Sequence, residues 1–124
     1  MLYAFFDGDN IGTTIEILLT ESKTNEAITL SENIKTVMIE IENFLETIEY
    51  VEVLISGGDD LLIHFEKTED SDELIDTIRR MFYSKTGTSM SCGVGTDIPQ
   101  SIWNLHLAKL YGKNLVRGME QPDG

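Results

Sequence analysis

Leu2 to Phe6 is an almost continuous apolar run, rich in aromatics and stopped by Asp7-Gly8-Asp9. That pattern suits a strand buried on both faces and central in its sheet. Thr13 and Thr14 can cap a short helix through Ile15, Ile17, Leu18 and Leu19, and the polar stretch Thr20 to Glu26 then reads as a loop. A longer helix is expected from near Ser31. Ile34, Val37, Met38, Ile41, Phe44, Leu45 and Ile48 keep helical periodicity there, and Glu40, Glu42, Glu46 and Glu49 take the other face. Tyr50 to Ser56 and Leu61 to Phe65 are β-rich, and Gly57-Gly58-Asp59-Asp60 between them has the composition of a tight hairpin turn. Ser71 caps a helix through Leu74, Ile75, Ile78, Met81 and Phe82, and Thr86 to Gly95 reads as a strand of small residues. A last helix begins around Pro99, passes through Ile102, Leu105, Leu107 and Leu110 and stops near Gly112. Leu115 to Met119 adds an edge strand.

The order β-α-α-β-β-α-β-α contains the βαββαβ ferredoxin-like core, with one helix inserted after the first strand and one appended at the end. The expected fold class is therefore α+β, an antiparallel sheet covered by helices on one face. Its 124 residues suffice for one core, so residues 1–124 are read as a single domain.

Charge changes this picture more than composition does. Nine Lys+Arg against 22 Asp+Glu give a net charge of −13, which repels a bare phosphate backbone and excludes nucleic-acid polymers as general partners. The balance is uneven. Residues 1–76 carry 19 acids and 3 bases, whereas residues 77–124 carry 3 acids and 6 bases, an arrangement able to bind a metal-complexed anion. Most of the glutamates read as a solvated surface. Cys92 is the only cysteine, so no intrachain disulfide can form. The N-terminus lacks a basic region and its apolar run ends at Asp7, unlike a secretory signal, and no stretch nears the ~18 apolar residues of a membrane span. A cytoplasmic protein, not itself inserted in a membrane, is expected.

In a ferredoxin-like sheet the first strand lies beside the second-third hairpin, so Asp7 can converge with Asp59 and Asp60. Three carboxylates that close are costly unless a divalent cation lies between them, and hard oxygen donors suit Mg²⁺ or Mn²⁺. Two such ions are the usual apparatus of nucleotidyl transfer. Alone, Gly57-Gly58-Asp59-Asp60 is equally what a simple turn uses. Asp7-Gly8-Asp9-Asn10-Ile11-Gly12 resembles a calcium loop only superficially, because Leu18 stands where a bidentate Glu belongs and a strand, not a helix, precedes it. Cys92, among small neighbours, reads as a core thiol. His64 and His106 read as surface or packing residues, and Trp103 and Tyr111 as core more than base-stacking residues.

Four segments in order carry a family resemblance: Phe5-Phe6-Asp7-Gly8-Asp9-Asn10-Ile11-Gly12, Ser56-Gly57-Gly58-Asp59-Asp60, Ser91-Cys92-Gly93-Val94-Gly95 and Ala108-Lys109-Leu110-Tyr111-Gly112-Lys113-Asn114. Over nearly its whole length the chain resembles the palm domains of the GGDEF and CRISPR-polymerase superfamily, above all the minimal CRISPR polymerases. The resemblance implies a polymerase/cyclase palm with two Mg²⁺ or Mn²⁺ per site, bridged by Asp7 and Asp59. Asp60 would be a further carboxylate and the Gly8 carbonyl would complete the shell. It implies nucleotide contacts from Gly8, Asp9, Asn10, Ile11, Gly12, Gly57 and Gly58, with Lys109 and Lys113, four apart on one face of the last helix, reaching the triphosphate. Compared with diguanylate cyclases, Ile15 and Glu16 replace a guanine-reading Asn-Asp pair, Gly12 replaces a Lys, Asp60 replaces a Glu, and Ile48 to Val51 lacks the R-x-x-D inhibitory motif. These departures point toward adenine.

The expected activity is a metal-dependent nucleotide cyclase condensing ATP, or another NTP, into a cyclic oligonucleotide of cyclic di-AMP type. Each palm would bind one nucleotide, which implies a homodimer, and the product would act on a separate effector protein in anti-phage defence. The rival reading is a non-catalytic nucleotide receptor built on a palm.

Overall fold

Side chains alternate along the first strand: Ala4, Phe6 and Gly8 are buried, whereas Tyr3, Phe5 and Asp7 are half-buried. One face of the sheet is therefore a full core and the other is covered only in part. The computed structural model describes residues 1–119. In chain order the elements are β1 (Leu2–Gly8), α1 (Ile11–Thr20), α2 (Thr24–Glu46), β2 (Val51–Gly57), β3 (Asp60–Phe65), α3 (Ser71–Thr86), β4 (Met90–Gly95), α4 (Ile98–Leu110) and β5 (Val116–Arg117). Among the described residues these form one five-stranded sheet in the order β2-β3-β1-β4-β5. The strand β1 is central, as its apolar run predicts, and runs antiparallel to both β3 and β4. The ferredoxin-like α+β core is present, while β5 pairs parallel with β4, so the sheet is not wholly antiparallel.

The core layer joins Ala4, Phe6, Leu61, Ile63, Phe65, Met90, Cys92 and Val94 of the sheet to the buried stripes of α2 and α3. The helix α2 begins at Thr24, seven residues before Ser31, because Ala27 and Leu30 extend its buried stripe of Ile34, Val37, Met38, Ile41 and Leu45 backwards. The polar composition of residues 20–26 hides that start. Similarly, α3 runs on to Thr86 and closes with Gly87 in the left-handed region, so β4 starts only at Met90. Ser71 is the first residue of α3 rather than its cap; its Oγ accepts from the Thr68 N–H at 2.9 Å.

The helix α4 corrects the expectation of helices on one face. Cys92 and Val94 point into the core, so Gly93 and Gly95 between them turn their Cα hydrogens to the opposite face. There α4 lies directly on the strand: a Cβ on Gly93 would stand 2.1 Å from the Leu105 nitrogen and 2.2 Å from the Ser101 carbonyl. Backbone meets backbone, and only Ser101 and Ala108 of α4 are fully buried. Asp97 caps α4 by accepting from the Gln100 N–H at 2.8 Å, with Pro99 in the first turn.

This contact predicts opposite outcomes at two glycines. Gly93→Ala should cost more than about 3 kcal/mol, because neither partner backbone can yield, whereas Gly12→Ala, which meets nothing within 4 Å, should change stability by less than ~1 kcal/mol. Urea denaturation of the two variants measures both.

Candidate active site

The hairpin joining β2 and β3 has a two-residue loop, Gly58-Asp59, between the paired Gly57 and Asp60. Gly58 has φ +59°, and a positive φ at the first loop residue is what a type II′ turn demands. The ladder sets Asp60 opposite Asp7 on β1, and the Gly8 N–H donates to the Asp59 carbonyl at 3.3 Å. One carboxylate oxygen from each of Asp7, Asp59 and Asp60 then lies within 4.8 Å of the others. The approach needs a bare backbone, since a Cβ on Gly8 would stand 2.8 Å from both Asp59 Oδ2 and Ile11 Cγ1.

Electrostatics register the crowding. A hydrogen bond shared with Asp7, then burial, then the charges of Asp7 and Asp59 push the Asp60 carboxyl up to about 7, with Lys109 pulling partly against them. Burial first, and the Asp7 charge second, also raise Asp59. Three carboxylates whose mutual repulsion Lys109 offsets only in part are chemically suited to a divalent cation, and three hard oxygens favour Mg²⁺ or Mn²⁺. The donor set therefore fits the expected metals.

Asp9 stands apart from this trio. Only 4% exposed, it accepts from Ser89 Oγ at 2.6 Å, Ser91 Oγ at 2.8 Å, the Asn114 N–H at 2.9 Å and Lys109 Nζ at 2.8 Å. Burial alone would raise its pKa, but these donors outweigh burial and hold it below the usual carboxylate range. Lys109 Nζ also donates to the Gly8 carbonyl at 2.9 Å and lies 3.2 Å from Asp7 Oδ2. The lysine is thus the internal counterion of the β1–α1 loop, and it occupies the Gly8 carbonyl. Ser89, Ser91 and Asn114 were not singled out as site residues in the sequence. The usable signal is their spacing, two serines flanking Met90 where the strand paired with β1 begins and an Asn closing the last motif.

Lys113 is not on the last helix, which is capped at Tyr111. It lies beyond it with φ +66° and donates to Asn10 Oδ1. Asn10 itself is the N-cap of α1, with φ +59° and no side-chain cap bond, so Ile11 and Gly12 open a helix whose first N–H groups face the loop uncapped. Gly57 and Gly58 form the exposed rim of the hairpin. Cys92 is fully buried, which pushes its thiol far above the usual range, as a core residue should be. His64 stacks on Tyr3 with ring centroids 4.4 Å apart. Trp103 and Tyr111 correct the expectation of core residues: they are 58% and 66% exposed, because the face of α4 that meets β4 consists of small residues.

A sheet backed by α2 and α3, with an acidic trio where the central strand meets a two-residue hairpin, is the palm shared by polymerases and nucleotide cyclases. The chain belongs to the minimal CRISPR polymerase domain family (mCpol), whose model matches residues 3–119. Comparison with curated proteins gives no match. Similar solved structures include a Csm1–Csm4 cassette in complex with pppApA, with TM-score 0.69, 23% identity, and 98% of this chain and 21% of that chain covered. A Csm1–Csm4 cassette in complex with AMPPNP gives TM-score 0.68, 24% identity, and coverage of 99% and 21%. The diguanylate cyclase SiaD in complex with its activator SiaC from Pseudomonas aeruginosa gives TM-score 0.58, 14% identity, and coverage of 93% and 48%. The chain thus spans about a fifth of the Csm1–Csm4 chains and about half of the SiaD chain. At these identities the likeness is one of fold.

Two predictions follow from the charges. With Asp59 and Asp60 raised, the metal-free folded chain binds more protons than the unfolded chain between the ordinary carboxylate range and about pH 7. Its stability should therefore fall as pH rises through that window, Mn²⁺ should restore it, and Asp60→Asn should flatten the slope; urea melts across pH with and without Mn²⁺ read all three. Asp9→Asn should cost about 2–4 kcal/mol, since it leaves Lys109 facing a neutral partner in a buried network. A loss below ~1 kcal/mol in the same melts would show that Asp9 does not hold the loop.

Proposed function

We propose that this chain is a metal-dependent nucleotide cyclase that condenses ATP into a cyclic dinucleotide or short cyclic oligonucleotide. The observation that carries the reading is the convergence of Asp7, Asp59 and Asp60 beside the uncapped start of α1. Asp7, Asp59 and Asp60 would hold the metals. Bound there, two divalent ions supply a lowered pKa for the attacking ribose hydroxyl and charge neutralisation for the pyrophosphate leaving group.

The protein's own share is placement. The first N–H groups of α1, at Ile11 and Gly12, form an anion site for phosphate oxygens, while the thin rim of Gly57 and Gly58 leaves room for the nucleotide. Lys113 exchanges the Asn10 amide for the triphosphate, and Asn10 is thereby freed toward the ribose or phosphate. Lys109, held by Asp9, keeps the loop carrying Asp7 and Gly8 in place. A ribose hydroxyl of one nucleotide attacks the α-phosphorus of another; the new P–O bond forms as the α–β bridge breaks, and pyrophosphate departs. Ring closure repeats the step on the joined nucleotides.

Adenine is supported by Ile15 and Glu16 at the positions where diguanylate cyclases read guanine. It is also supported by the adenine nucleotides in the Csm1–Csm4 complexes. The reaction belongs in the cytoplasm, where ATP and Mg²⁺ are abundant. No helix among the described residues is long and apolar enough to cross a membrane. One nucleotide per palm implies a homodimer, and the CRISPR family context supports a product read by a separate effector in antiviral defence.

Incubation with ATP and Mg²⁺ or Mn²⁺, followed by mass spectrometry, tests the reading. A cyclic adenine nucleotide should form, and Asp59→Ala/Asp60→Ala should reduce it more than about 100-fold. Unreacted ATP with wild type and variant alike would overturn the cyclase reading, and a nucleotide co-purified unchanged would favour the receptor.

A further inference from the structure

Of the 6 bases in residues 77–124, the acidic site and its loop employ Lys109 and Lys113. Arg79 of α3 is a charge they leave unexplained. Half-buried, it donates through Nε to the Met90 carbonyl and through Nη2 to Asn114 Oδ1, both at 2.8 Å. These two anchors fix the plane of the guanidinium, and neither anchor is an anion. A guanidinium carries five N–H groups; those beyond the two anchors have no partner among the described residues, and no carboxylate pairs with Arg79. In a chain with 22 acids and a net charge of −13, an immobilised cation that none of them neutralises is a preorganised receptor for an anion.

Arg79 lines a cavity of about 650 Å³ between α3 and the start of β4, within the usual size of a small-molecule site. Asp76, Arg80 and Tyr83 line it from α3, Ser89 from the turn before β4 and Asn114 from beyond α4. We propose that this cavity binds a nucleoside monophosphate and that its occupancy steadies the β1–α1 loop. Each part of the ligand has a counterpart. The phosphate takes the unused N–H groups of Arg79 with the Ser84 hydroxyl beside them, and Asp76 accepts from the ribose hydroxyls. The Tyr83 ring, 59% exposed and one helical turn beyond Arg79, is the platform for the base. Charge limits the phosphates to one, because Arg80 is already bonded to Glu73 at 3.1 Å and Asp76 lies on the wall. The lining includes none of Asp7, Asp59, Asp60, Lys109 and Lys113, so this is a site apart from the acidic trio. Two of its residues nevertheless hold Asp9, through Ser89 Oγ and the Asn114 N–H, and the Asp9 N–H donates to the Ser89 carbonyl at 2.9 Å. A ligand that ties α3 to Ser89 and Asn114 restrains the segments that fix Asp9, and with them the loop. None of this rests on the cyclase reading.

Calorimetric titration of the full chain with AMP in EDTA, which leaves the acidic trio without metal, tests the site. One AMP per chain should bind, and adenosine and inorganic phosphate should each bind at least ~10-fold more weakly. Arg79→Gln should weaken AMP at least ~10-fold. Tyr83→Ala should weaken it at least ~5-fold, and at an exposed ring it keeps the test decisive if Arg79→Gln fails to fold. Lys113→Gln should leave the affinity unchanged. In hydrogen exchange, saturating AMP should slow the Asp9 amide at least ~3-fold. Absence of AMP binding, phosphate or adenosine bound as tightly as AMP, an affinity that Tyr83→Ala leaves intact, or one that Lys113→Gln abolishes would overturn the nucleotide site. Unchanged exchange in the AMP-saturated chain would overturn its hold on the loop. AMP bound as expected by a chain that never makes cyclic product upholds the site and removes the cyclase reading alone.

Discussion

The Asp9 carboxylate, almost sealed from water, gathers hydroxyls from β4 and the turn before it, a backbone N–H from beyond α4 and the ammonium of Lys109. Those donors come from segments some 80 to 105 residues away in sequence. A buried charge tolerates no missing partner, so each of these segments has a fixed place once Asp9 has its own. The β1–α1 loop, which carries Asp7 on one side and the start of α1 on the other, is positioned by that requirement. The bare face of β4 makes it possible, because only glycine lets α4 descend far enough for Lys109 to reach the loop.

Two opposite electrostatic states therefore lie side by side. Asp9 is held ionised by its donors, while Asp59 and Asp60 are driven toward protonation by one another, by Asp7 and by burial. A few residues of backbone separate a fully hydrogen-bonded carboxylate from a crowded acidic cluster, and the number of donors decides which is which.

Much of this was legible in the sequence. The apolar run of Leu2 to Phe6 located the central strand, and the Gly-Gly-Asp-Asp turn located the hairpin whose pairing joins Asp60 to Asp7. The start of α2 was hidden because the polar stretch Thr20 to Glu26, just ahead of Ala27 and Leu30, also suits a loop. The side on which α4 packs was hidden more deeply, since it follows from the absence of side chains at Gly93 and Gly95, and small residues look alike whether they are buried by a helix or merely short. The same absence exposed Trp103 and Tyr111, whose hydrophobicity suggested the core. Lys109 and Lys113 were found as a pair, but their division of labour depends on where α4 ends.

The hairpin's length has one more consequence. Side chains alternate faces along a strand, and the loop has only two residues, so the ladder fixes on which side of the sheet Asp60 emerges as firmly as it fixes hydrogen bonds. One extra residue there would have to be absorbed as a bulge or would turn Asp60 away from Asp7 into the apolar layer of α2 and α3. The spacing of the acidic pair thus behaves as a parity condition: the length of the turn matters to the site as much as the identity of Gly58 and Asp59 within it.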